Sequence, residues 1–411
     1  MKKTIKLGLF LLCSFIITAC GNGQATKATS ATTSTETEQE QEQNQEQNQE
    51  QTPQFMTYYR AWRDETMQGV NTELTDENQI NMNDIPYGID IVNVFSFVPE
   101  GEEEQAEPFF EKLKNEYVPN LHKRGVKLTK AIDYSELLEI DHKENFPTEE
   151  EFDQFAKELL DEHVYAYGLD GLDIDMEVDP SKEEVKISDG VIKALAKYIG
   201  PKGEDGTVFV YDTNASNLAP FENVADYFTY LGYQQYGSDT GRTENAMEDY
   251  EELIGKDRFM PGLAFPEEQD DNRWYDAEEP YEESHMKKLS QYVQENQLHG
   301  MFIYALDRDG RTYGEEDLNH VKKTNFLWTK TAILETKGYS VKDAQQLAIH
   351  HWQRVNDLGK DEQDRVIKQI KEAKTIYDVN KILLGSSDHF EEDGRSIDYD
   401  PIYEAQLMEK E

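Results

Sequence analysis

Cysteine is almost missing from this chain: there are two in 411 residues, Cys13 and Cys20, both within the first twenty. Beyond residue 20 no intramolecular disulfide can form, and thiolate nucleophiles, redox CxxC pairs and cysteine-bound zinc are excluded. Basic residues are also short, with 41 Lys and Arg against 84 Asp and Glu, a net charge of −43 and a pI near 4.5. Such a surface repels nucleic acid, anionic lipid headgroups and wall polyanions, so none of these is expected as a partner. His163 and the His350-His351 pair have no companions at zinc-binding spacing and read as solvated or core histidines. No metal and no cofactor is expected.

What is present begins with an export signal. Lys2, Lys3 and Lys6 precede the apolar run Leu7–Ile17, which is too short for an ordinary membrane-spanning helix. The run closes on Ile17-Thr18-Ala19-Cys20, which resembles a bacterial lipobox. That resemblance makes residues 1–20 a lipoprotein signal peptide and Cys20 the lipidated first residue of a protein held on the extracellular face of the cell membrane. The lipid would be its only membrane contact. Residues 21–53 are rich in Gln, Glu, Thr and Asn with nothing large to bury, the composition of a disordered tether.

From Phe55 short apolar or β-branched runs alternate with amphipathic stretches, the pattern of a parallel α/β barrel. Eight strands are expected: Phe55–Ala61, Ile89–Val98, Val126–Ile132, Gly171–Glu177, Val208–Thr213, Tyr230–Tyr236, Phe259–Phe265 and Met301–Leu306. Helices are expected at Pro108–Arg124, Glu149–His163, Ser188–Ile199, Ala246–Ile254 and Ser284–Asn296. An apolar-faced helix, Leu318–Glu335, follows the last strand and stops at Gly338. The barrel would occupy residues 54–337. In residues 338–411, Ser340 with Asp343, Asp361 with Asp364, and Thr375 with Asp378 stand at capping spacing and open three short helices, enough for a small bundle. The run Ile370–Ile382 resembles the end of small helical modules on bacterial surface proteins, some of which bind albumin, although packing beside the barrel is the expected role. The acidic remainder from Ser386 is expected to be loosely held.

The barrel is organised around Asp170-Gly-Leu-Asp173-Ile-Asp175-Met-Glu177. In an extended strand Asp173, Asp175 and Glu177 share one face and Leu172, Ile174 and Met176 the other. The apolar side would pack on helices and the acidic side would line a cavity. Three acids in a poorly solvated place cannot all ionise, so a proton is shared among them, and Glu177 at the strand's end could act as a general acid.

The string Asp-Gly-x-Asp-x-Asp-x-Glu resembles the signature of glycoside hydrolase family 18, which forms the fourth strand of a (β/α)8 TIM barrel. The resemblance implies a substrate-assisted retaining mechanism in which the substrate's 2-acetamido oxygen is the nucleophile. Glu177 would then be acid and base. Asp175 would hold the acetamido N–H, and Asp173, deeper, would take part in sharing the proton. On strand six, Gln234-Gln235-Tyr236 resembles the Gln-x-Tyr of endo-β-N-acetylglucosaminidases, with Gln234 and Tyr236 donors to the acetamide. Tyr304 stands where chitinases usually carry Trp, and the segment Met56–Asp64, with Tyr59 and Trp62, resembles the first strand of enzymes that act on N-linked glycans. Trp274, Tyr275, Tyr281 and Tyr313 are loop aromatics suited to stacking on sugar, Trp274 foremost.

Taken together, the resemblance implies a monomeric endo-β-N-acetylglucosaminidase that cuts the N,N'-diacetylchitobiose core of N-linked glycans on host glycoproteins. A chitinase or wall-glycan hydrolase on the same chemistry, and a non-catalytic lectin or surface adhesin, are the alternatives.

Overall fold

Side-chain parity along eight short strands sets the architecture. The computed structural model describes residues 52–141, 145–268, 274–278, 280–355, 360–385 and 399–411. The signal peptide, Cys20 and all but the last two residues of the expected tether lie outside the described residues. Strands β1 (Gln54–Arg60), β2 (Ile91–Phe95), β3 (Lys127–Asp133), β4 (Gly171–Met176), β5 (Val208–Thr213), β6 (Tyr230–Gln234), β7 (Phe259–Ala264) and β8 (Gly300–Tyr304) pair in parallel in chain order. β8 closes the barrel on β1, from Gln54↔Gly300 to Thr57↔Ile303. All eight expected strands are there. Glu177 and Tyr236, the last residues of two of them, lie just past the ladder, which frees their backbone from the sheet at the end where barrel enzymes react.

Two apolar layers follow from this parity. Met56, Tyr58, Ile91, Val208, Val210, Met260 and Phe302 fill the barrel, while Phe55, Tyr59, Leu172, Ile174 and Met176 face the helices. Gly262 makes room inside: a Cβ there would sit 2.1 Å from the ring of Phe302. Gly171 has a similar reason to be glycine, since a Cβ would meet the Val208 carbonyl oxygen at 1.7 Å.

The surrounding helices are α1 (Glu103–Lys112), α2 (Val118–Lys123), α3 (Glu149–Leu160), α4 (Lys182–Leu195), α5 (Ala219–Glu222), α6 (Thr240–Tyr250), α7 (His285–Asn296) and α8 (Leu327–Thr336). α4 starts earlier than the expected Ser188 because Ser181 and Glu184 form a capping box. α8 is shorter than expected: the helix begins at Leu327, where Asp309 accepts from Trp328 N at 3.2 Å and Thr329 N at 2.6 Å. Gly338, at φ +79°, does end it, with Tyr339 N bonded to Leu334 O.

All ten residues of α8 are buried, because it lies against α7 on the barrel and against α11 (Ile376–Leu384), which packs with α9 (Val341–Val355) and α10 (Lys360–Glu372) in a helical region. Ser340 and Thr375 cap α9 and α11 as expected. Asp361 does not cap: it lies within α10. The chain end also departs from expectation. Residues 386–398 lie outside the described residues, but Pro401–Met408 form α12, whose Glu404 is buried and accepts from His350 Nδ1 at 2.6 Å and Arg354 Nη2 at 2.7 Å. His350 and His351, both bonded to Glu404, are structural. His163 pairs with Glu136 at 3.2 Å.

Candidate active site at the C-terminal mouth of the barrel

The acids of β4 form a depth series. Asp173 is fully buried, Asp175 half-buried and Glu177 exposed. Tyr58 donates to Asp173 Oδ2 at 2.5 Å and the Asn93 amide donates to the same oxygen. Burial raises Asp173 to about 7, against the lowering effect of the Tyr58 bond. For Asp175 burial acts first and the charges of Glu177, Asp173 and Asp133 add to it, pushing it up to about 8. The acids therefore hold protons at neutral pH that isolated carboxyls would have lost.

A fourth acid joins them. Asp212 on β5 lies opposite Asp175 in register and is buried. Burial, then Asp173 and Asp175, hold its carboxyl well above the usual range. The Gln234 amide nitrogen spans the pair, 2.8 Å from Asp212 Oδ2 and 3.3 Å from Asp175 Oδ1. Gln234 thus belongs to the site as expected, but its N–H groups point at acids rather than into open space. Sequence reasoning missed Asp212, Asn93 and Tyr58. Each is a polar or hydroxyl-bearing residue on the same strand face as inward apolar neighbours (Val208 and Val210, Ile91, Met56), and that alternation is the signal that could have found them.

Tyr58, Asp175, Asp212 and Gln234 line a cavity of about 510 Å³ with Phe95, Glu177, Asn214, Tyr236, Arg242, Glu267, Trp274 and Tyr304. Tyr236 and Tyr304 stack at 6.1 Å and 28°, with Trp274 6.1 Å beyond Tyr236 and Phe95 5.9 Å from Tyr304. This aromatic wall offers flat apolar faces beside the acids, the combination a sugar ring requires. Burial and the nearby carboxylates keep the Tyr236 phenol well above its ordinary value, so it remains a hydrogen-bond donor.

Two expected substrate contacts are elsewhere. Tyr59 points outward: its hydroxyl donates to Asp64 Oδ2 at 2.5 Å among core residues, and Tyr58, one residue earlier, takes the inward place. Trp62 is buried behind the cavity, its ring 5.6 Å from Phe95. Of the loop aromatics, Trp274 reaches the cavity. Tyr275 stacks on Tyr313 at 4.9 Å, and Tyr281 is buried against Trp328 and Tyr377 under the C-terminal helices.

The rim opposite β4 is fixed by charge. Arg60, buried at the end of β1, bonds Asp307 at 2.6 and 2.9 Å and Glu268 at 3.0 Å, and its Nη1 is 3.5 Å from Glu267. Burial alone would raise Glu268, but Arg60, Arg63 and Arg308 hold it well below the carboxylate range. Asp276, buried, accepts from Gly237 N at 3.0 Å and Ala264 N at 3.2 Å. It thereby ties the Trp274 segment to the exits of β6 and β7.

Comparison with known proteins agrees with this geometry. Residues 57–303 match the family model described as the endo-beta-N-acetylglucosaminidase EndoS TIM-barrel domain. An endo-beta-N-acetylglucosaminidase of Bifidobacterium longum subsp. infantis is 51% identical over 371 residues, 86% of this chain and 67% of the relative. Endo-beta-N-acetylglucosaminidase F2 of Elizabethkingia meningoseptica is 31% identical over 67% of this chain and 79% of its own length. The crystal structure of the endo-beta-N-acetylglucosaminidase from Cordyceps militaris superimposes with a TM-score of 0.61 at 29% identity, covering 74% of this chain and 97% of the other. With the match running from β1 to β8, the chain belongs to the endo-β-N-acetylglucosaminidase family that shares the EndoS TIM barrel.

Proposed function

We propose that this protein is a retaining endo-β-N-acetylglucosaminidase of the family 18 type, which hydrolyses the bond between the two core N-acetylglucosamines of N-linked glycans. The observation that carries the reading is the depth series Asp173, Asp175, Glu177, with proton-holding acids below and an exposed carboxyl above, facing a wall of Tyr236, Tyr304 and Trp274.

The sugar to be cleaved lies on the aromatic wall with its 2-acetamido group over Asp175. Glu177 gives its proton to the leaving oxygen while the acetamide oxygen closes on the anomeric carbon. Asp175 accepts the amide N–H and, as it ionises, stabilises the positive charge of the ring that forms. Its proton passes to Asp173, whose ionised form Tyr58 and Asn93 support, and returns to Asp175 when the ring opens. Tyr236 donates to the acetamide oxygen. Water then opens the ring, with Glu177 taking the water's proton, and the anomeric configuration is retained.

A two-carboxylate mechanism would need a nucleophile from outside β4; of the two other carboxyls lining the cavity, Asp212 is buried and bonded to the Gln234 amide, which leaves Glu267, beyond β7. Its Oε2 instead faces the Tyr304 hydroxyl at 3.4 Å and Arg60 at 3.5 Å. A stable thiazoline mimic of the cyclised intermediate should therefore inhibit strongly. Isolation of a glycosyl ester on Glu267 would contradict the mechanism. Attachment to the outer face of the cell membrane through lipidated Cys20 completes the proposal.

A further inference from the structure

Glu177 sits beyond the last ladder residue of β4, and something must hold its exposed side chain toward the cavity. The exit of β5 is built to do so. Thr213 Oγ1 donates to Met176 O at 2.8 Å, joining the two strand ends at the residue before Glu177, and also accepts from Ala215 N at 3.0 Å. Tyr250 of α6 donates to Ala215 O at 3.1 Å, and Arg242 Nη2 lies 3.4 Å from Asn214 O. The backbone around Asn214 is thus held from both sides. Its side-chain nitrogen lies 3.1 Å from Glu177 Oε1.

The brace continues to β6. Gln235 faces away from the cavity and is buried. Its Oε1 accepts from Thr243 in the first turns of α6 and its amide reaches Ser238 O at 3.4 Å. That fixes the helix turn from which Arg242 reaches across. Among the described residues lining the cavity, Arg242 is the only cation.

We propose that Asn214, braced by Arg242 and Thr213, is a positioning residue for Glu177: it holds Oε1 and leaves Oε2 to face the glycosidic oxygen. One fixed oxygen restricts the acid to a productive geometry, and hydrogen-bond restraint of this kind acts on the chemical step rather than on sugar binding. The inference rests on the reading of Glu177 as the acid.

Kinetics of the whole protein on an N-glycosylated substrate test it, with Glu177→Gln measured in parallel. Asn214→Ala should lower kcat about tenfold with KM changed less than about twofold. Asn214→Asp places a carboxylate beside Glu177, within a site that already holds Asp175, Asp212 and Glu267 and, among the described lining residues, the single opposing charge of Arg242. Its alkaline limb should move to higher pH. Asn214 is exposed, so unchanged melting curves are expected and separate positioning from folding. If both Asn214 variants keep the kcat and pH profile of the unaltered protein while Glu177→Gln is inactive, the inference is overturned. It is also overturned if Asn214→Ala raises KM at constant kcat, which would make Asn214 a substrate contact. An active Glu177→Gln variant would overturn the acid assignment itself.

Discussion

The Tyr58 hydroxyl lies 2.5 Å from Asp173 Oδ2 at the floor of the cavity, joining the first strand of the barrel to the fourth. The bond stabilises the ionised form of an acid that burial drives the other way. Tyr58→Phe should raise the shared pKa of the buried acids, so the acidic limb of the pH–rate profile should move to higher pH and kcat at neutral pH should fall roughly threefold to thirtyfold. An unchanged profile would separate Tyr58 from catalysis.

The raised acids also make stability depend on pH. Asp173 at about 7 and Asp175 at about 8 bind protons in the folded protein that the unfolded chain has released. Stability from them is complete below about pH 4 and is lost as pH rises through 7 and 8. Asp175→Asn should therefore raise Tm by about 2–5 °C at pH 8 and very little at pH 4 while reducing turnover. Calorimetry at the two pH values checks the sign.

The docking of α12 has its own window. Burial opposes ionisation of Glu404, but Arg354, His350 and His351 bring it down to about 2; burial also works against a charged His350, and Glu404 with Glu411 outweighs it and raises that histidine. The carboxylate's contribution is present above its ordinary value near 4.5 and is lost as pH falls toward 2. The His350 contribution is complete below about 6.5 and fades as pH rises through its elevated value. Glu404→Gln should cost roughly 1–3 kcal/mol near pH 6 and less at pH 9, read from urea midpoints.

Cys20→Ala should release the protein from membranes without changing turnover. Continued membrane association of that variant would refute lipid anchoring.

The strands and the acid series were legible because alternation on β4, with Leu172, Ile174 and Met176 against Asp173, Asp175 and Glu177, is a strong period-two signal. β1 was less legible. In Phe55-Met56-Thr57-Tyr58-Tyr59 large side chains occupy both faces, so the choice between Tyr58 and Tyr59 rested on one residue of parity, and only the pairing with β2 and β8 decides it. Asp212 was hidden among the apolar residues of β5, since its role depends on Asp175 across the ladder. Tyr281 resembled a sugar platform, but its partners Trp328 and Tyr377 come from distant parts of the chain that fold over it. The length of α8 was misread for a related reason: tertiary contacts, rather than its own pattern, bury every residue of it.

The most direct test is mass spectrometry of an N-glycosylated protein and of a chitin tetramer, each incubated with the purified enzyme and with Glu177→Gln. The account predicts that a single N-acetylglucosamine remains on each glycosylated Asn, that chitin is cut slowly, and that Glu177→Gln lowers the rate by about 10²–10⁴. Rapid cleavage of the tetramer with the N-glycans left intact, or N-glycan release by Glu177→Gln at the rate of the unaltered protein, would contradict it.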